Sequence, residues 1–240
     1  MQFDYSIIVR NLPVLLLGMG NTIVFCVVSA IIGLFVGLGI ALIRNSRSHG
    51  IAAVAARWLA VAFVELLRNT PFLVQAFLVY FGLAEWGLRL NAWICGILIL
   101  SLYAAANFSE SIRSGLLSVP AGQTEAAKAL GFRPMFIVFR IIIPQSVGYL
   151  VPTLTNQFIG LIKDSAALSV ITVPEVAMAA QKIVGTTFSP VETYAAVAFL
   201  YWVVTSCLAS VLMRMEHRWS SWRRARETGA PLNTPTCATT

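Results

Sequence analysis

Charge is what this chain has least of. Of its 240 residues only 11% are Asp, Glu, Lys or Arg, while 58% are hydrophobic. An ordinary soluble domain carries about 25% charged residues, so the composition excludes that class and indicates an integral membrane protein. Histidine is scarce as well. His49 and His217 stand alone at the ends of apolar blocks and assemble no Ser-His-Asp arrangement. The cysteines Cys26, Cys95, Cys207 and Cys237 are far apart and give neither metal nor redox spacing. Three of them fall in apolar blocks, where cysteine acts as a small packing residue. No G-x-x-x-x-G-K-[ST] loop occurs, so ATP cannot be bound by that route. The first apolar block is too long for a cleavable signal peptide and lacks a basic lead. A membrane enzyme would need a catalytic constellation that the sequence does not offer.

What the chain does have is a succession of apolar blocks with no soluble domain between them. They read as one all-α unit of about five spans: a lead at residues 1–13, a transmembrane domain at 14–214, and a basic, then disordered, tail at 215–240. The first block, residues 12–43, exceeds the ~20 residues a bilayer requires. Gly33, Gly37 and Gly39 give it small-residue spacing suited to close helix packing.

The net charge of +7 is explained by position. With the N-terminus outside, Arg10, Arg89 and Lys182 fall in outer segments. Arg44, Arg47, Arg57, Arg68, Arg113, Lys128, Arg133, Arg140 and the cluster from Arg214 to Arg226 fall inside. The positive-inside rule accounts for that asymmetry without nucleic acid. Trp86 and Trp93 bracket a short outer loop as interfacial aromatics do, and residues 174–191 read as another outer loop. Trp219 and Trp222 beside the arginine cluster suit contact with anionic membrane lipid.

Three stretches break the apolar pattern. In VELLRNTPFLVQ, Glu65 and Arg68 are three apart on a helix and can pair, and Pro71 kinks that helix or starts a new one. On the third span, residues 92–117, Tyr103, Asn107, Glu110, Ser111 and Ser114 recur at three- and four-residue steps, giving it one polar face. On the fourth, residues 147–173, Thr153, Asn156, Gln157, Gly160, Lys163, Asp164 and Ala167 fall within an arc of about 120°. Such a stripe is costly in lipid unless it lines a wet path or finds partners. Lys163 and Asp164 do not face each other squarely, so each needs a partner, with Glu110 or a second subunit as candidates. Snorkelling of Lys163 and helix capping by Asp164 are the purely structural alternatives.

The stretch at residues 118–144, SVPAGQTEAAKALGFRPMFIVFRIIIP, is polar at its centre. Thr124 can cap a short helix, Glu125 sits in its first turn, and Gly131 stops it ahead of Pro134. So short a helix must be held by something it packs against.

Here the sequence resembles a known family. Glu125, Ala126, Ala127, Gly131, Ile143 and Pro144 match the EAA loop of ABC importer permeases. Gly122-Gln123 and Pro144-Gln145 narrow the likeness to the polar-amino-acid uptake family, over roughly residues 14–214. Glu65, Arg68, Thr70, Pro71 and Gln75 resemble that family's E-x-x-R-x-T-P-x-x-x-Q signature. LIKDSAAL at residues 161–168 departs from its usual L-K-D-T-S-L.

The resemblance implies a type I importer permease fold in the bacterial inner membrane. Glu125, Ala126, Ala127 and Gly131 would form a coupling helix that docks on a separate ATPase subunit. Asn107, Glu110, Asn156, Gln157, Lys163 and Asp164 would line the substrate path, and Glu65 with Arg68 would form a structural gate pair. The implied partners are a second permease, the same or homologous, two ATPase subunits that bind the ATP, and a periplasmic solute-binding protein. The chain itself would need no cofactor and would not be an enzyme. VELLRN and the KDSA run lie nearest the branch that carries glutamate or aspartate. A different class stays open: a proton-coupled carrier or channel with Lys163, Asp164 and Glu110 as relay groups.

Overall fold

A computed structural model describes residues 3–46 and 50–228, with side chains as far as Arg214. Arg47, His49, Cys237 and most of the expected disordered tail lie outside the described residues, and so do the side chains of His217, Trp219 and Trp222.

Nine α-helical segments are described: α1 (Tyr5–Asn45), α2 (Ile51–Asn69), α3 (Phe72–Glu85), α4 (Ala92–Leu117), α5 (Ala121–Ala129), α6 (Pro134–Phe136), α7 (Ile143–Asp164), α8 (Val176–Thr187) and α9 (Pro190–Thr228). A π-helical stretch, Ile137–Ile142, joins α6 to α7, and a 3₁₀ stretch, Ser165–Ile171, continues α7. Four runs are long and apolar enough to cross a membrane: Tyr5–Asn45, Ala92–Leu117, Pro134–Ile171 and Pro190–Arg214. The remaining apolar block is split between α2 and α3.

α1 and α4 form the central seam. Between lipid-soluble helices there is no hydrophobic drive to associate, so close packing and interhelical hydrogen bonds hold them. Small residues provide the approach. A Cβ added at Gly33 would stand 2.6 Å from the Ala104 Cβ, and one at Gly37 would stand 2.9 Å from the Ala105 carbonyl. Gly39 meets open space, so only two of the three spaced glycines serve this seam. Ser29 adds an interhelical bond, donating to the Ile97 carbonyl at 3.3 Å. α7 packs on the same helix, with Leu150 against Gly115. Leu161, Ile162 and Leu168 join Phe25, Ile99, Leu100 and Phe108 in the core. The outward side chains of α1, among them Leu17, Phe35 and Val24, are large, apolar and exposed, as a surface facing lipid requires.

Two boundaries differ from the sequence expectations. Residues 174–191 are not simply an outer loop. Glu175 caps α8 by accepting from the Met178 amide at 2.7 Å, and Val176, Ala179, Ala180 and Ile183 bury one face of it. Those positions follow the helical i, i+3, i+4, i+7 pattern. Thr124 does not cap α5, which begins three residues earlier at Ala121 after Pro120. Pro suits a helix start because its missing amide would be unpaired there in any case. Of the two outcomes expected at Pro71, the structure shows a new helix: the Thr70–Pro71 step breaks the second block outright. Thr70 is extended at φ −112°, ψ 143°, the conformation that a following proline imposes.

Candidate functional site

The break at Pro71 is bridged by one side chain. Gln75 Nε2 donates to the Leu67 carbonyl at 2.6 Å and to the Thr70 carbonyl at 2.8 Å, with Thr70 Oγ1 also at 2.8 Å. It is buried, so the carbonyls that the proline leaves unpaired are satisfied from inside the protein, as lipid demands. Phe72, the first residue beyond the break, packs on Tyr103 of α4 with ring centroids 4.7 Å apart. Tyr103 Oη in turn donates to Asp164 Oδ2 at 2.9 Å. Asp164 is the last residue of α7, where the α-helix tightens to 3₁₀.

Glu110, two helical turns further along α4, is the centre of a separate cluster. Arg44 Nη1 from α1 meets its Oε2 at 2.7 Å, and Arg68 Nη1 from the end of α2 lies 3.9 Å from the same atom. Arg113, one turn on, donates to Oε1 through Nε at 3.1 Å and also through Nη2. Two sequence expectations are corrected here. Glu65 does not pair with Arg68: it accepts from Asn69 Nδ2 at 2.8 Å, while the charge of Glu110 across the helix interface draws the Arg68 guanidinium. Nor does Glu110 serve Lys163 or Asp164. It is held by arginines, and seven α4 residues, about 10 Å of rise, separate it from the level of Tyr103.

The α7 stripe faces away from the core at Thr153, Asn156 and Lys163, while Asp164 turns toward Tyr103 on α4 and Ala167 packs on the core. Thr153, Asn156 and Lys163 are exposed, Gln157 and Asp164 half-buried, and a Cβ at Gly160 would meet nothing within 4 Å. Leu161 and Ile162 on the other side are buried. Among the described residues Lys163 has no ion-pair partner. Asn107 is less available than its position suggested, because its Nδ2 donates to the Tyr103 carbonyl of its own helix at 3.0 Å.

On α5, Glu125, Ala126 and Lys128 are exposed and Ala127 is buried. Gly131 follows in the left-handed region at φ +78°. Its amide bonds the Lys128 carbonyl at 2.9 Å, and the Phe132 amide bonds that of Ala127 at 3.1 Å. This pair of bonds is the Schellman termination that glycine favours. Phe132 then stacks on Phe136 at 4.7 Å, and α5 packs on the π-helical stretch.

Sequence reasoning missed the partners of Glu110 and the role of Glu175. Arg113 at i+3 was a usable signal for the first; Arg44 was not, since it is sixty-six residues away. For Glu175, the Pro-Glu pair ahead of an apolar i, i+3, i+4 pattern was the signal.

The family model for "Binding-protein-dependent transport system inner membrane component" matches residues 51–221. The nopaline transport system permease protein NocM of Agrobacterium fabrum is 33% identical over 236 residues, covering 94% of this chain and 96% of that protein. The glutamine transport system permease protein GlnP of Escherichia coli is 33% identical over 220 residues, covering 91% and 98%. A crystal structure of an amino acid ABC transporter with histidines superimposes at TM-score 0.83 with 32% identity, covering 91% of this chain and 100% of that one.

Proposed function

The chain belongs to the family of binding-protein-dependent transport system inner membrane components, and from that premise we propose that it is the permease subunit of an ATP-driven importer carrying a polar amino acid, or an opine built from one, into the cytoplasm. The relatives named for nopaline and glutamine transport support that cargo class. Glutamate and aspartate are the acidic members of it.

The observation that carries the reading is the α7 stripe, which leaves Asn156 and Lys163 exposed and sets Asp164 half-buried against Tyr103 at the edge of the core. Charges in that position need a wet path or a partner. A second permease, the same or homologous, placed against the stripe would enclose such a path. A zwitterionic cargo brings one carboxylate and one ammonium, which Lys163 and Asp164 complement. Energy enters from two ATPase subunits docked on α5, and cargo is delivered from outside by a solute-binding protein. α5 rests on the π-helical stretch that runs directly into α7. Displacement of α5 therefore reaches the stripe through continuous helix, and rocking of the paired permeases would open the path to one side and then the other.

The relay reading is less well supported. Glu110 is engaged by arginines and Asp164 by Tyr103, so the three relay groups form no chain. The test is ATP hydrolysis by the co-expressed permease–ATPase complex in liposomes, with binding protein and a panel of glutamate, aspartate, glutamine, arginine and nopaline. Stimulation by one panel member supports the reading. A chain that purifies without any P-loop ATPase overturns it.

A further inference from the structure

We propose that Tyr103 is a positioning residue for the cargo: its hydroxyl fixes the Asp164 carboxylate in the orientation that receives the cargo's ammonium group. This rests on the reading above that Asp164 meets the cargo.

Asp164 ends α7 at the junction with the 3₁₀ stretch and is half-buried there. Among the described residues its side chain has one hydrogen-bond donor, Tyr103 Oη at 2.9 Å on Oδ2. A carboxylate has acceptor capacity for about four bonds, so Oδ1 and the free lone pair of Oδ2 remain for a ligand. The tyrosine bond fixes the direction in which they are presented.

The tyrosine is itself held. Phe72 covers its ring, and Phe72 is buried because the Pro71 break turns α3 onto α4. Gln75, buried beside it, fastens the two sides of the break. The T-P-x-x-x-Q part of the signature thus acts on the cargo site at second hand. Thr70 and Gln75 close the break, Phe72 projects from it, and Tyr103 transmits the placement to Asp164. A tie between α4 and α7 alone would not need the aromatic support, since those helices already pack through Gly115 and Leu150.

The experiment is equilibrium binding of labelled cargo to the whole permease–ATPase complex in nanodiscs without binding protein. The labelled probe is whichever panel amino acid the wild-type complex accumulates. Tyr103→Phe keeps the ring on Phe72 and deletes only the donor. Losing one hydrogen bond to a charged group should weaken binding about tenfold, whatever fall in melting temperature accompanies it. In Asp164→Ala, which removes the acceptor, the same substitution should have no further effect, because coupled residues are non-additive. Wild-type affinity in Tyr103→Phe overturns the proposal, as does a lowered melting temperature with affinity unchanged, which is the mark of a helix tie. Equal effects of Tyr103→Phe in the wild-type and Asp164→Ala backgrounds also overturn it. Absence of any wild-type uptake would overturn the importer reading itself, a distinguishable result.

Discussion

Arg44 and Glu110 meet at 2.7 Å although sixty-six residues separate them, and that bond ties the end of α1 to α4. Their side chains are 10% and 19% exposed. Removing one partner of such a pair strands the other charge in a poorly solvated place. Because residual solvent softens the loss, Glu110→Gln, which leaves Arg44 and Arg113 without their shared counter-charge, is expected to cost about 2 kcal/mol, read as a lower melting temperature of the purified complex. Arg68→Ala should cost well under about 1 kcal/mol, because its side chain is 41% exposed and 3.9 Å away. Equal losses from the two substitutions would contradict this ranking.

Gly37 and Gly39 separate packing from spacing. A side chain at Gly37 must displace the Ala105 carbonyl and the Ser109 amide, both backbone atoms within 3.1 Å of its Cβ. Gly37→Val is therefore expected to destabilise the fold by about 2 kcal/mol or more. Gly39→Ala meets open space and should be neutral or slightly stabilising, since alanine is the better helix former by about 1 kcal/mol. Yields of folded protein after detergent extraction compare the two.

Gly131 tests the docking helix. Its φ of +78° is strained for any L side chain, by roughly 1–2 kcal/mol, although a Cβ there meets nothing within 4 Å. Gly131→Asp should unwind the end of α5 and carry a charge to the docking face. Membrane insertion should survive while ATPase co-purification and uptake fall at least about tenfold. Unchanged association would remove α5 from the coupling role.

Glu175 makes stability depend on pH. It lies between the third and fourth membrane runs, capping α8, with Tyr201 Oη at 3.4 Å. Burial pushes its pKa up to about 7, against the lowering effect of the α8 amides. The folded value lies above the ordinary 4.5, so the folded state holds the proton more tightly. The associated stability is full below pH 4.5 and is lost as pH rises through about 7. The melting temperature should fall between about pH 4.5 and pH 7 and level off above that, and Glu175→Gln should flatten that fall. A wild-type profile no steeper than the variant's would contradict it.

Much of this was legible in the sequence because lipid simplifies the code. Length and apolarity mark the runs, the arginines mark their inner ends, and a polar arc such as Asn156, Lys163 and Asp164 stands out against leucine. Gly131 was legible as a stop because few other residues take its backbone conformation. Partnerships were not. Arg68 sits within reach of Glu65 by spacing, yet lies beside Glu110, because a charge across a helix interface competes with one on the same helix. Tyr103 was visible as part of a polar face, but its bond to Asp164 depends on how α4 and α7 cross. Residues 174–191 looked like a loop because α8 is short and its apolar face is narrow.

The most direct test is accumulation of labelled amino acid in proteoliposomes holding the complex, with ATP inside and binding protein outside. The account predicts accumulation of one panel member that requires ATP and ignores a proton gradient. Accumulation by this chain alone, driven by a proton gradient and indifferent to ATP, would contradict it and return Lys163 and Asp164 to the role of a relay.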